Sequence, residues 1–463
     1  MTRRDLLEWT LAGSAGLALP ARAWAGLRTQ GNPFGLGVAS GSPTASSVVL
    51  WTRLLLAAEQ GPAAVRWEVA HDEQFSRIVQ SGQKMALPGL AHSVHVEVQG
   101  LAPDRWYFYR FAAGDATSAA GRTRTFPEPG AEVARLRLAY ASCQRWEHGY
   151  YSAWRHMRDE NPDLVMFLGD YIYEYPNAAH AVRVPSGGWV LSLDDYRQRY
   201  ALHRGDADLQ AMHAACPWLV TWDDHEVQND YAGNVEGRSG LPVADFAARR
   251  AAAYQAFYEH MPVPASVLTR ALAGLAAGAE MRIYSRRPYG RLASLAVLDA
   301  RQYKAAQVCT PDGKKGAGTL DPAACPSWKD AARSMLGGQQ ERWLDAEFAR
   351  TGRDCHWNVL GQQSLFGQRD FRRGAGQVLW NDGWDGYAAA RTRLTDALQR
   401  HGLANTVLLG GDVHENWVGH VKADYADAAS PAVAVEFCGT SITSRSAGNE
   451  KIPQLLAENP HFV

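Results

Sequence analysis

Leu164-Val165-Met166-Phe167-Leu168-Gly169-Asp170-Tyr171-Ile172-Tyr173-Glu174 is the stretch that decides the fold class. A short apolar run stops abruptly on a glycine, a carboxylate and two phenols. In open α/β sheets, ligands lie outside the carboxyl ends of strands, so such a switch marks a strand that delivers functional groups to a crevice. The glycine before Asp170 lets the backbone turn sharply and approach a bound ion closely.

Four further runs behave alike. Leu136–Ala141 ends in Ser142-Cys143-Gln144, and Trp218-Leu219-Val220 runs into Trp222-Asp223-Asp224-His225-Glu226, with Asn229-Asp230 close behind. Trp357–Leu360 ends in Gly361-Gln362-Gln363, and Thr406–Leu409 ends in Gly410-Gly411-Asp412-Val413-His414-Glu415-Asn416. Carboxylates gathered in one crevice are costly unless a cation compensates them. Carboxylate, amide, imidazole, phenolate and thiolate from separate strands thus point to two or more metal ions. The spacing is too long for a zinc finger, and no CxxC pair is present. Taken singly, Asp170 reads as a helix cap, His414 as a satisfied core histidine, His225 as part of a surface ion cluster, and Cys143 as a small core residue. All of these plain readings at once require several independent coincidences.

The chain has 463 residues, 46% hydrophobic and 21% charged, with 47 basic against 48 acidic side chains and a net charge of −1. This composition supports sizeable cores, and it lacks the basic excess that holds a nucleic-acid backbone. After residue 25 no apolar run is long enough to span a membrane. Thr2-Arg3-Arg4-Asp5-Leu6-Leu7, a weakly apolar stretch to Leu19 and Ala23-Trp24-Ala25 read as a twin-arginine (Tat) export signal over residues 1–25. A periplasmic or secreted chain engaged by the Tat machinery is the expectation. Cys309 and Cys325 flank a Gly/Pro/Lys-rich loop and suit a disulfide in such a compartment, whereas Cys216, Cys355 and Cys438 read as core thiols.

Residues 30–130 read as an all-β sandwich. Ser46–Thr52 suits a strand buried on both faces, while Val65–Val69 and Ser93–Val98 alternate at period two, the mark of half-buried strands. Leu101-Ala102-Pro103 before Trp106–Phe111 resembles the tyrosine corner of fibronectin-like sandwiches. Pro127-Glu128-Pro129-Gly130 is a linker, and beyond it apolar runs alternate with helical stretches such as 249–260 and 339–350, implying α/β layering.

The ordered set Ala141–Gln144, Gly169–Glu174, Trp222–Val227 with Asn229-Asp230-Tyr231, Leu298–Tyr303, Leu360–Gln363, Gly411–His414 and Glu436–Ser441 resembles the PhoD-like alkaline phosphatase family of calcineurin-like metallophosphoesterases. The resemblance implies a four-layer αββα domain over residues 131–463, following the β-sandwich, and hydrolysis of phosphate mono- and diesters. It implies Fe(III) held by Cys143, Tyr173 and His414, and Ca(II) held by Asp412 and by either Asp224 or Asn229, with Asp170 bridging. Arg301 resembles a phosphate-contacting residue, and His225 is the candidate for stabilising charge or protonating the leaving group. Carboxylate and amide oxygens suit Ca(II), and phenolate and thiolate suit trivalent iron. The family often continues past the position of Val463, so a catalytic domain truncated at its C-terminus belongs to this reading. Two other functions compete: a phospholipase D-type phosphodiesterase, and a silent binding module whose β domain serves adhesion.

Overall fold

A computed structural model describes residues 31–57, 60–268, 280–310, 316–351, 354–446, 448 and 450–463. The export signal expected over residues 1–25 lies outside the described residues. The first strands are β1 (Val38–Gly41), β2 (Ser47–Arg53), β3 (Ala63–Ala70), β4 (Ile78–Ala86), β5 (Ser93–Gln99), β6 (Trp106–Ala113), β7 (Ala116–Thr117) and β8 (Gly121–Arg124). One antiparallel sheet runs β4-β3-β6-β7, with β8 also paired to β6. Tyr107 on β6 reaches back to the turn before it: its hydroxyl accepts from the Ala102 N–H at 2.9 Å. The tyrosine-corner reading therefore holds in its hydrogen bond. Tyr107→Phe is expected to cost about 0.5–1.5 kcal/mol, the range for a lost hydrogen bond whose donor, on exposed Ala102, can turn to water. A urea midpoint equal to the parent's would show that the bond contributes nothing.

The other amino-terminal strands do not close on themselves. Past the linker come β9 (Leu138–Ala141), β10 (Leu164–Phe167) and β11 (Trp218–Val220). These continue the first strands in a single six-stranded sheet of order β5-β2-β1-β11-β10-β9. The join is parallel, with Gly41 opposite Trp218, and the Ser42 N–H donates to the Trp218 carbonyl at 3.0 Å.

Helices α1 (Ser152–Asp159), α2 (Leu193–Arg204), α3 (Ala207–Ala215) and α4 (Phe246–His260) belong to this half. Helix α2 begins on a reciprocal capping box of Ser192 and Asp195, and α4 on Asp245, whose side chain accepts from the Ala248 N–H. Helix α4 corrects one expectation about the sandwich. Ser93–Val98 is not half-buried, because Ser93 and His95 are buried along with the valines. The His95 ring stacks on Tyr258 with centroids 4.4 Å apart, and the indole N–H of Trp51 donates to the Glu259 carbonyl at 3.0 Å. The part of that face at His95, which alternation assigned to water, is covered by α4, while Glu97 stays exposed.

A second six-stranded sheet contains β12 (Ser285–Tyr289), β13 (Ala293–Val297), β15 (Trp357–Gly361), β17 (Thr406–Gly410), β18 (Trp417–Lys422) and β19 (Ala432–Cys438), in the order β12-β13-β15-β17-β19-β18. Its inner neighbours are parallel, and its edges β12 and β18 are antiparallel. Short β14 (Thr319–Leu320) and β16 (Leu379–Trp380) pair separately, and α5 (Gly337–Thr351), α6 (Ala388–Arg400) and α7 (Ile452–Glu458) complete the helices used below.

Alternate side chains of the central strands enter different cores. Leu164 and Met166 of β10 pack with Leu295 and Val297 of β13 and Leu409 of β17. Val165 and Phe167 pack with residues of α1 to α4, including Trp154 and Phe257. Ala296, Leu360 and Leu408 pack with Leu344 of α5 and Leu394 of α6. Burial on both faces explains why these strands read as unbroken apolar runs.

Cys309 and Cys325 form the expected disulfide. Cys216 and Cys438 are buried, but Cys355 is only half-buried, because it sits in the turn entering β15 with its thiol 3.8 Å from the Gly290 carbonyl. Among the described residues, no helix is long and apolar enough to cross a membrane.

Candidate active site

The segments leaving β9, β10, β11 and β17 bring their polar residues together. Two of them zip side by side: the Cys143 N–H donates to the Gly169 carbonyl at 3.1 Å, and the Gln144 N–H to the Asp170 carbonyl at 3.0 Å. Cys143 (φ 61°), Asp170 (59°), Asp230 (59°), Asp412 (67°) and His414 (58°) all hold left-handed backbone. For non-glycine residues this conformation costs about 1–3 kcal/mol each and gathers at functional sites. Gly169, at φ 116°, needs to be glycine on a second ground, since an added Cβ would sit 2.6 Å from the Asp223 amide nitrogen. Gly411 is required by close approach to the Ser142 side chain. Glu226 braces the turns from behind: its carboxylate accepts from the N–H groups of Asp170 (3.0 Å), Tyr171 (2.5 Å) and Asp223 (2.7 Å).

Four groups of side chains place their potential ligand atoms within 4.8 Å of one another: Cys143 with Asp170 and His414; Asp170 with Asp224 and His225; Asp223 with Asp224 and Asp412; and Asp224 with Asp230 and Asp382. Asp170 belongs to two groups and Asp224 to three. The Tyr173 hydroxyl joins the first, donating to Asp170 Oδ2 at 2.9 Å, lying 3.2 Å from His414 Nε2 and accepting from Ser444 Oγ at 2.6 Å. His414 Nδ1 faces the Arg445 carbonyl at 3.1 Å, which fixes Nε2 as the free nitrogen.

The electrostatics call for a cation. Asp170 is fully buried, and its Oδ1 has no hydrogen-bond partner. Burial first, then the charges of Asp224, Asp223, Glu226 and Asp412, push its carboxyl well above the ordinary range. Burial lifts Asp223 to about 8 against the pull of Arg301, and lifts Asp412 to about 7. Cys143 and Tyr173 are raised by burial and by Asp170. Burial lowers His414 to about 4, so its imidazole is neutral, the form that binds metals. A metal would deprotonate the thiol and phenol and satisfy Asp170 Oδ1. The donor set fits two kinds of ion, a sulfur-, nitrogen- and phenol-bearing group beside oxygen-only groups.

Of the expected site residues, Cys143, Asp170, Tyr173, Asp224, Asp412, His414 and His225 come together. Asn229 stands at the margin, its amide donating to Asp230 Oδ2 (2.6 Å) and Ser239 Oγ (2.8 Å). His225 is buried, its Nδ1 2.6 Å from Glu174 Oε2 and its ring 4.1 Å from that of Tyr173. Burial opposes its charge, but Glu174 and Asp224 outweigh burial and raise its pKa. Arg301, expected to contact phosphate, lies among buried carboxylates. Its Nε bonds Asp223, its Nη1 lies 2.6 Å from Asp382 Oδ2, and its Nη2 lies 3.6 Å from Asp224 and 3.9 Å from Asp412. Buried carboxylates take its Nε and Nη1 and make it their counter-charge, while Nη2 lies beyond hydrogen-bond distance of Asp224 and Asp412. Gln363 is likewise a brace: its amide bonds Trp222, Thr221 and Leu298 and ties the ends of β11 and β13 together.

Sequence reasoning placed Asp223 and Asp230 on the converging segments without giving them a role, and it missed Asp382. Asp382 is a hub, its carboxylate taking hydrogen bonds from Arg301, Lys304 and Gln307. Its only local signal is the turn-like Asn381-Asp382-Gly383, which follows no long apolar run.

An α/β enzyme core with a buried, cation-seeking donor set defines the class. Residues 20–127 match the family described as PhoD-like phosphatase, N-terminal domain, and residues 138–462 match PhoD-like phosphatase. The chain belongs to the PhoD-like phosphatase family, and it is a phosphatase. It is 46% identical to alkaline phosphatase D of Bacillus subtilis (strain 168) over 445 residues, covering 93% of this chain and 73% of that protein. A solved structure described as the structure of PhoD superposes with a TM-score of 0.87 at 44% identity, covering 94% of this chain and 83% of the other.

Proposed function

We propose that the chain hydrolyses phosphate mono- and diesters at the convergence of Cys143, Asp170, Tyr173, Asp224, Asp412 and His414, using Fe(III) and Ca(II). One observation carries this reading: the ligand atoms of Cys143, Asp170 and His414 lie within 4.8 Å of one another around a buried carboxylate oxygen that has no partner. Cys143, Tyr173 and His414 would hold the iron, Asp412 and Asp224 the calcium, and Asp170 both. When bound, the metals supply Lewis acidity toward phosphoryl oxygen and make the attacking water acidic enough to act near working pH. His225, held by Glu174, is placed to stabilise charge or to give a proton to the leaving oxygen. Arg301 pairs with Asp223 and Asp382 and draws both carboxyls toward the ionised form against the burial that disfavours it. Asp224 is preferred over Asn229, whose side-chain amide is turned to Asp230 and Ser239.

The same reading takes residues 30–130 as a fibronectin-like sandwich and 131–463 as a four-layer αββα domain. It is supported by the Tyr107 hydrogen bond and by the way alternate residues of β10 divide between two cores. Export by the Tat route to the periplasm or the medium is read from Arg3-Arg4 and Ala23-Trp24-Ala25.

Metal analysis of the exported protein is expected to find iron and calcium, with a visible absorption band from phenolate bound to iron. Chelation is expected to abolish both colour and turnover, and restored metals to return them. A colourless, metal-free protein that turns over at full rate would refute the reading.

A further inference from the structure

Arg145 is the second arginine at this site, and its surroundings are the opposite of those of Arg301. It is 3% exposed. Its guanidinium carbon lies 3.8 Å from the ring centroid of Tyr173 and 4.5 Å from that of Tyr175. The Tyr173 hydroxyl is the group bonded to Asp170 and near His414 Nε2, so the guanidinium lies beside the donor cluster. Nη1 donates to the Tyr175 carbonyl at 3.1 Å. The Tyr175 side chain is a further hydrogen-bond partner, so both contacts are neutral oxygens, and the guanidinium is not fully sealed from solvent. Arg145 makes no ion pair among the described residues; the nearby carboxylate of Glu147 is turned to Ser186, with its Oε1 2.7 Å from Ser186 Oγ.

A buried guanidinium without a counter-charge is costly. Its planar fork matches the oxygens of a phosphate. The main chain fixes it in place: the Arg145 N–H donates to Ser444 Oγ at 3.2 Å, and that hydroxyl in turn donates to Tyr173.

We propose that Arg145 binds a non-bridging oxygen of the phosphoryl group and favours the doubly charged monoester over the singly charged diester. The proposal rests on the phosphoester site described above. In a diester the second alcohol occupies an oxygen that in a monoester carries charge. The diester therefore gains less from a fixed cation than the monoester does.

The test uses the metal-loaded full chain with 4-nitrophenyl phosphate, bis(4-nitrophenyl) phosphate and inorganic phosphate. A hydrogen bond to a charged group is worth about 1.5–3 kcal/mol, or about 10- to 150-fold. Arg145→Met is expected to lower kcat/KM for the monoester by about that factor, and for the diester several-fold less. Inorganic phosphate, followed by calorimetry, should bind at least about tenfold more weakly. Arg145→Lys, which keeps the charge without the fork, should fall between parent and Arg145→Met on both readouts, and it decides alone if the methionine variant does not fold. Equal losses on both esters with unchanged phosphate affinity would overturn the proposal and leave Arg145 a packing partner of Tyr173. Asp170→Asn separates the two levels. If that variant still turns over, the site assignment fails; if it is dead while the Arg145 variants keep the parent's ester preference, only the role of Arg145 fails.

Discussion

Asp170→Asn is expected to lower kcat/KM by at least about a thousandfold, since a Lewis-acid site supplies several kcal/mol to the transition state. Its iron content should fall with turnover. The fold should survive, and the metal-free variant should be as stable as the metal-free parent or more so. The reason lies in the environment of the carboxylate: burial, then Asp224 and its other acidic neighbours, disfavour its charge, and Oδ1 makes no hydrogen bond that an amide would lose. Kinetics, metal analysis and urea midpoints measured without metal check the three parts separately. Near-normal turnover would remove Asp170 from the reaction.

The second large effect falls on stability. Arg301→Met leaves Asp223 and Asp382 buried without their shared counter-charge, and breaking a buried ionic network in this way costs about 3–5 kcal/mol. Lys304 still reaches Asp382, and Asp223, already raised to about 8, can stay protonated, so the loss is expected to grow as pH rises above about 8. A urea midpoint within error of the parent's would show that Arg301 is not what neutralises the cluster. A variant of normal stability with weakened phosphate binding would restore the contact first expected of this arginine.

The cluster was legible because the strands that deliver it are buried on both faces. Leu164–Leu168 and Thr406–Leu409 therefore stand out as apolar runs, and the first polar residue after each is conspicuous. Asp170, Asp412 and Cys143 were found in this way. Asp382 was not, because it follows the two-residue strand β16 and is brought to the cluster by tertiary packing, without a local pattern to announce it. Asp223 was visible within Trp222–Glu226, but adjacent carboxylates there take different tasks: Asp223 pairs with Arg301, Asp224 joins three ligand groups, and Glu226 holds three amides. No spacing rule sorts such neighbours. The carboxylates around Arg301 were not legible for a related reason, because a sequence names a cation without naming what surrounds it. The alternation of Ser93–Val98 misled because periodicity reports which side chains share a face, whereas burial of His95 depends on α4, more than 150 residues away along the chain.

The shared sheet has a consequence for the backbone of its central strands. β11, whose end carries Asp223, Asp224 and His225, has β10 on one side and only the short β1 on the other. Bared of β1, its backbone would offer an open rim onto which another polypeptide can add, the usual route to edge-to-edge aggregation. The amino-terminal unit is thus a shield for the strand that bears the chemistry, whatever else it binds.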